Sequence, residues 1–317
     1  MCEQDTALKN QMTAQNKKTT LPKVSVVIPC FNQAPYLKEA VSSVIRQSYQ
    51  NWEIIIVNDG STDNSEDIAK ECAATDSRIV YISQPNQGAS TARNTGIKAS
   101  KGKYILPLDG DDTIETDYLT KAVEYLEAHP ECACFYCLAN MFGSINQPWD
   151  VKYIDYKHLL TYNAIFCSSV YRRTDFDIIG GYDETFIHGY EDWEFYIRLL
   201  ANGGEVYQDD TRMFNYRKKG IHEHSLDSIS HKYEESILNT IYKKHIDLYI
   251  KHFPSFIASQ RKTQEYTDRI CMLEDEINRL TEDKKRLSKK LTRKRRLIRF
   301  LDIVIFALLL SCLFLAL

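Results

Sequence analysis

No acidic residue interrupts the run from Lys284 to Arg299, which carries ten lysines and arginines, and the only acid beyond it is Asp302. Residues 1–283 therefore hold 30 basic and 42 acidic side chains, a formal charge of −12, although the whole chain sums to −3. An acidic body argues against nucleic acid as its partner, and a basic tail argues for an anionic surface. The chain opens without an apolar core: Met1 to Lys23 is polar, so no secretory signal is read there and the thiols are expected to be reduced, in a cytosolic setting. Nine cysteines, odd in number and irregular in spacing, do not make a disulfide framework. Cys132, Cys134 and Cys137 are the one cluster. Cys132 and Cys134 alternate along an apolar run with no fourth ligand nearby, which fits buried strand thiols better than a zinc site. No Gly-x-Gly-x-x-Gly follows the first apolar run and there is no Walker motif, which argues against a nicotinamide enzyme or a P-loop protein.

What is present is alternation. Residues 1–20 read as a disordered N-terminus, and a body runs from about Leu21 to His252. Val24–Pro29, Trp52–Val57, Arg78–Ser83 and Tyr104–Leu108 are apolar runs of strand length. Between them, helices are expected over about Pro35–Gln47, Asn64–Ala74 and Ala89–Ala99. Near-continuous apolar strands joined by helices predict an α/β fold, with a mostly parallel sheet covered on both faces. Ligands of such sheets bind beyond the carboxyl ends of the strands.

That rule brings three polar clusters to one rim: Pro29-Cys-Phe-Asn32, Asn58-Asp-Gly-Ser-Thr-Asp63 and Asp109-Gly-Asp-Asp112. Taken singly, Gly60 and Ser61 are turn residues and Asp63 or Asn64 a helix cap. Asp109, Asp111 and Asp112 repel one another unless a positive charge sits among them. A hard divalent cation such as Mg²⁺ or Mn²⁺, shared with a substrate diphosphate, satisfies that demand; a solvated acidic turn is the plainer alternative. A second acidic pair, Glu191-Asp192, opens the apolar-patterned stretch Trp193–Leu200, where it also complements a helix dipole.

Beyond the body, Ile270, Leu273, Ile277, Leu280, Lys284, Leu287 and Leu291 repeat in steps of three and four. This is the a/d spacing of a coiled coil; isoleucine at a with leucine at d favours a parallel homodimer, and a single amphipathic helix packed on the body is the other reading. Residues 253–299 thus read as an amphipathic or coiled-coil helix with a basic end. Phe300–Leu317 follows, eighteen residues with one charge. As a helix it is about 27 Å long, near the roughly 30 Å of a bilayer core, which predicts a transmembrane or membrane-anchoring helix with its basic flank on the cytoplasmic face.

The body resembles the family 2 glycosyltransferases of the GT-A fold. The matching stretches are Val24-Ser-Val-Val-Ile-Pro-Cys-Phe-Asn32, Val57-Asn-Asp-Gly-Ser-Thr-Asp63, Asn86-Gln-Gly-Ala-Ser-Thr-Ala-Arg-Asn94, Leu108-Asp-Gly-Asp-Asp112, Gly180-Gly-Tyr-Asp-Glu184, Gly189-Tyr-Glu-Asp-Trp193 and Tyr216-Arg217, in the family's order. The resemblance covers roughly 200 residues and leaves out residues 1–20 and those from about 255 on.

It implies an inverting, metal-dependent transfer from a nucleotide-diphosphate sugar, expected to be a UDP-sugar, to a hydroxyl of a glycan or glycolipid. Pro29, Phe31 and Asn32 are then expected to line the nucleotide pocket and Asp59 to accept hydrogen bonds from the base. Arg93 and Asn94 are expected near the base, ribose or diphosphate. Asp109, Asp111 and Asp112 are expected to hold ribose and metal, with Mn²⁺ or Mg²⁺ as the cofactor. Asp192 becomes the general base and Glu191 a group that positions the acceptor. Arg217, Lys218 and Lys219 are placed in a cationic loop over the diphosphate. His222 and His224 follow it, His224 as a candidate metal ligand, in a stretch, Gly220-Ile-His-Glu-His224, that departs from the family pattern. Two other readings stay open: a polyprenyl-phosphate glycosyltransferase, and a non-catalytic nucleotide-binding membrane scaffold.

Overall fold

The computed structural model describes residues 24–220, 226–253 and 255–315, with residues 226–231, 256, 257, 259, 300, 302 and 305–315 described in backbone only. The expectations for residues 1–20, His222 and His224 lie outside the described residues. The chain runs β1 (Val24–Cys30), α1 (Leu37–Ile45), β2 (Trp52–Asp59), α2 (Ser65–Thr75), β3 (Ile79–Gln84), α3 (Ala89–Ala99), β4 (Tyr104–Pro107), β5 (Thr113–Ile114), α4 (Tyr118–Ala128), β6 (Cys132–Gly143) and β7 (Gln147–Trp149). It continues with α5 (Tyr156–Leu159), β8 (Val170–Arg172), α6 (Arg173–Ile179), α7 (Glu191–Leu199), β9 (Glu205–Lys218), α8 (Leu226–Lys244), α9 (Ile246–His252) and α10 (Phe256–Leu315).

One sheet orders the strands β3-β2-β1-β4-β8-β6-β9-β5, with β7 paired to β6. The half built from β3, β2, β1 and β4 is wholly parallel, with Val27 level with Ile55 and Pro107. β1, β2 and β4 are mostly apolar because both their faces are covered, with Val26, Val27, Ile28, Ile54 and Ile56 fully buried, while the edge strand β3 is partly exposed. Gly96 lets α3 sit close on this half, since a Cβ there would collide with Val27 and meet Val57 at 3.0 Å.

The other half corrects the expectation of a mostly parallel sheet. β8 is antiparallel to β4 and to β6, β7 to β6 and β5 to β9; only β6 and β9 pair in parallel. A parallel neighbour needs a long crossover over a face, whereas β6 and β7 are separated by three residues and must fold back on each other. Cys132, Cys134 and Cys137 are buried thiols on β6, as read from their alternation.

The chain divides into two compact units, up to Tyr249 and from Ile250. In the second, α10 spans 60 residues, about 90 Å at 1.5 Å per residue. Ile270, Leu273, Ile277, Leu280, Leu287 and Leu291 are exposed along it. Among the described residues no helix is long and apolar enough to cross a membrane. Most side chains of the expected Phe300–Leu317 span lie outside the description.

Candidate active site

Two cavities meet at the carboxyl ends of the central strands. One, of about 410 Å³, is lined by Pro29 and Phe31 at the end of β1, Asp59 at the end of β2, Asp109 and Asp111 after β4, and Lys219. The other, of about 600 Å³, is lined by Asp112, Asn163, Asp192, Trp149 and Lys218 among others. Arg93, Asp109 and Glu191 border both.

That shared wall is an ionic arch. Arg93, on α3, is 1% exposed. Its Nη2 donates to Asp109 Oδ1 at 2.7 Å and to Cys167 Sγ at 3.4 Å, and its Nη1 donates to Glu191 Oε1. Three elements far apart in sequence are thereby held at one point: the start of α3, the loop after β4 and the start of α7. A buried guanidinium between two carboxylates is strongly coupled to both, so losing either partner leaves an uncompensated charge. Arg93 Nε is buried without a partner. Burial pushes the Cys167 thiol well above its usual range, against the pull of Arg93.

Asp192 follows Glu191 on the first turn of α7, just after Tyr190 in the left-handed conformation at φ 62°. Its Oδ1 accepts from Asn163 Nδ2 at 3.2 Å and from the Trp193 backbone N–H at 2.7 Å. Burial, reinforced by the charge of Glu191, pushes its carboxyl up to about 7, with Arg93 opposing. A carboxyl poised near neutrality inside a cleft is suited to take up a proton.

The three aspartates after β4 are divided rather than clustered. Asp109 pairs with Arg93. Asp111 Oδ2 takes the Lys219 ammonium at 2.7 Å. Asp112 is turned to the larger cleft, where its Oδ1 accepts the Arg217 N–H at 2.8 Å. Burial raises the Asp112 carboxyl well above the usual range, and Asp111 and Asp109 add to the rise. Asp111 is raised as well, chiefly by burial, with Lys219 pulling the other way. Among the described residues no group of three or more His, Cys, Asp or Glu forms a cage for a metal. The donor set fits a different kind of site. Mg²⁺-like ions are held by one or two carboxylates together with substrate phosphates, and Asp109 and Asp111 line the smaller pocket in that way. The ammonium on Asp111 shows that the position already draws a cation.

Several residues expected in the donor pocket hold its walls together; of these, Asp59 and Arg217 also line it. Asn32, at φ 54°, accepts the Thr62 N–H at 2.8 Å and the Asp63 N–H at 3.3 Å, and so clamps the loop after β2. It is absent from the lining of the smaller pocket. Asn94 exchanges two hydrogen bonds with the Tyr182 backbone, each 2.8 Å, and donates to Glu184 at 2.9 Å. It braces the Gly180–Glu184 turn and lines neither cavity. Both amides are drawn off by nearby unpaired backbone groups, the usual fate of asparagine beside a tight turn. Asp59 lines the pocket, but its carboxylate accepts from Gln84 Nε2 at 2.8 Å, Gln87 N at 3.0 Å and Gly88 N at 2.8 Å, fixing the loop that leads into α3. Arg217 donates to the Asp111 carbonyl at 2.8 Å, pairs with Glu39, and lies over the rings of Phe142 and Tyr36 at 4.2 and 4.5 Å. It ties β9 to the acidic loop.

Sequence reasoning missed Cys167, Asn163 and Trp149. None belongs to a motif; only the pairing of β8 with β4 and of β7 with β6 carries them to the cleft.

The fold and the rim site define a GT-A-like α/β protein with an acid-lined pocket beside a second cleft. Solved structures agree on the fold: Staphylococcus aureus TarS residues 1–349 in complex with UDP-GlcNAc superposes with a TM-score of 0.57 at 19% identity, over 65% of this chain and 61% of that one. The mannosyltransferase PcManGT from Pyrobaculum calidifontis, in complex with GDP-Man and Mn²⁺, does so with a TM-score of 0.53 at 18% identity, over 68% and 65%. In sequence, residues 25–181 match glycosyl transferase family 2, and residues 151–222 match the N-terminal domain of galactosyltransferase. The putative teichuronic acid biosynthesis glycosyltransferase TuaG of Bacillus subtilis is 32% identical over 204 residues, 62% of this chain and 79% of that protein. The chain belongs to glycosyl transferase family 2. Of other curated relatives it spans much less, 15%, 31% and 17% of their lengths.

Proposed function

We propose that this chain transfers a sugar, with inversion, from a nucleotide-diphosphate donor to a hydroxyl of a saccharide acceptor. The supporting observation is the placement of Asp192: a half-buried carboxyl pushed up to about 7, in a cleft that shares the Arg93–Asp109–Glu191 wall with an acid-lined pocket. The donor occupies the smaller pocket, its base between Phe31 and the Asp59 loop and its diphosphate toward Asp111 and Lys219. Asp109 and Asp111 would hold a divalent cation together with the diphosphate, where it would neutralise charge on the leaving group.

Asp192 takes the proton of the acceptor hydroxyl as its oxygen attacks the anomeric carbon. The C–O bond to the diphosphate breaks on the opposite side. A single displacement reverses the anomeric configuration. Glu191, fixed by Arg93, holds the wall between the two substrates, and Asn163 holds the Asp192 carboxylate. The TarS and mannosyltransferase complexes support a nucleotide-sugar donor, and the first of them a UDP-sugar. The likeness to a putative teichuronic acid biosynthesis enzyme supports a saccharide acceptor.

The test is transfer from a panel of UDP- and GDP-sugars, with and without Mn²⁺, and the anomeric configuration of the product read by NMR. Retention of configuration, or no turnover of any nucleotide sugar, contradicts the proposal.

Two further parts rest on the sequence. The basic run from Lys284 and the apolar stretch from Phe300 attach the chain to the cytoplasmic face of a membrane, and the heptad from Ile270 pairs two such chains in parallel. Equal flotation of the full chain and a chain ended at Ser259 on anionic vesicles would remove the first. A monomeric mass for the full chain in sedimentation would remove the second.

A further inference from the structure

The larger cleft carries an aromatic platform that the acid chemistry does not account for, and of its rings only Tyr216 stands in a family motif. Trp149, at the end of β7, lies 4.8 Å from Tyr216 and 5.9 Å from Phe166 between ring centroids. Behind them Phe166 stacks on Phe214 at 4.5 Å and 28°. Phe166 and Phe214 are buried, while Trp149 and Tyr216 are half-buried and form the surface that faces the cleft. Asp192 lines the same cleft.

The charge of the cleft is one-sided. Asp109, Asp112, Glu191, Asp192 and Glu234 border it, against Arg93 and Lys218. Arg93 is already shared between two carboxylates. Lys218 lies over the Tyr216 ring, 4.9 Å from its centroid. An anionic acceptor group, such as a lipid phosphate, would enter a field of its own sign. A neutral ring with an apolar C–H face and hydroxyl edges has the opposite fit. Its face packs on an aromatic surface and its edge meets the carboxyls.

We propose that the cleft is an acceptor subsite for a neutral pyranose, stacked on Trp149 and Tyr216 with a hydroxyl turned to Asp192, and that Trp149 sets its affinity. This rests on the glycosyltransferase reading and narrows its acceptor.

The experiment labels the full chain with 5-fluorotryptophan. The chain has three tryptophans, and Trp149→Phe assigns the Trp149 signal. Methyl β-glucopyranoside and methyl N-acetyl-β-glucosaminide are titrated in the presence of UDP and, separately, GDP, with geranyl phosphate as the anionic comparison. The Trp149 fluorine signal is expected to shift saturably with a glycoside while that of Trp52 stays still. Trp149→Leu is expected to weaken the glycoside by about tenfold and Trp149→Tyr by about threefold or less, both with nucleotide affinity retained as the sign of an intact fold. If no tryptophan signal is moved by either glycoside, or signals are moved by geranyl phosphate alone, the proposal is overturned even if no variant folds. A wild-type chain that binds neither nucleotide overturns the glycosyltransferase reading along with it.

Discussion

The smaller pocket is walled by the ends of three adjacent parallel strands and the loops that follow them. The larger cleft is walled by α7, a hairpin, the β8 approach and the tip of β9. Each strand in the first set is joined to the next by a helix, so its loops have one place to go. The second set is joined by antiparallel returns and irregular connections, and nothing local fixes where its residues meet. On the proposed reading the donor sits on the regular half, and the half that would face the acceptor is irregular and free to differ between proteins of one fold.

The largest expected effect breaks the chemistry and leaves the scaffold. Asp192→Asn should lower kcat by about 10²- to 10⁴-fold, the range of a positioned general base, while nucleotide affinity stays. Because the carboxyl is raised to about 7, wild-type kcat should rise with pH through about 7 and level above it, and no such limb should remain in the variant.

Next comes the wall between the two sites. Arg93→Met leaves Asp109 and Glu191 facing each other, and breaking a buried pair in this way costs about 3–5 kcal/mol. The midpoint of urea unfolding reads this cost. A variant as stable as wild type would mean that the arch is not a structural joint. Gly96→Ala probes the regular half: its Cβ would press on Val27 and Val57, and overpacking of this kind costs about 1–3 kcal/mol. A loss of nucleotide affinity without loss of stability would place the strain at α3's start instead.

The smallest effect has a sign that separates function from stability. The Asp192 carboxyl is higher in the folded chain than its ordinary value of 3.8. Folding therefore binds a proton more tightly, and the penalty for ionising it is absent below about pH 4 and fully present above about pH 7. Asp192→Asn should raise Tm modestly at pH 8, and the difference should vanish toward pH 4. Equal Tm values at both pH values would mean that the carboxyl is not strained by burial.

How much of this was legible follows the same division. The runs Val24–Pro29 and Trp52–Val57 became β1 and β2 almost to the residue, because strands buried on both faces must be apolar throughout. The acidic rim was legible for the reason that carboxylates in an apolar setting need a partner. The partners themselves were not. Asn32 and Asn94 stand in matching motifs, yet their amides are taken by Thr62 and Tyr182, a choice set by turn geometry. The three aspartates after β4 read as one cluster, but a turn within four residues sends Asp111 and Asp112 to opposite sides. Trp149 and Cys167 carried no signal at all, since their place depends on strand pairings between segments far apart in sequence.

The two cavities are proposed to have two jobs, the smaller for the nucleotide and the larger for the acceptor. Titration calorimetry of the full chain with UDP and GDP, in Mn²⁺, tests this on three proteins: wild type, Asp111→Asn and Asp192→Asn. The affinity of the bound nucleotide is expected to fall about tenfold or more in Asp111→Asn, the loss of one charge-assisted contact, and to stay within about twofold of wild type in Asp192→Asn. Affinity lost in Asp192→Asn and kept in Asp111→Asn would place the nucleotide in the larger cleft and contradict the assignment of both sites.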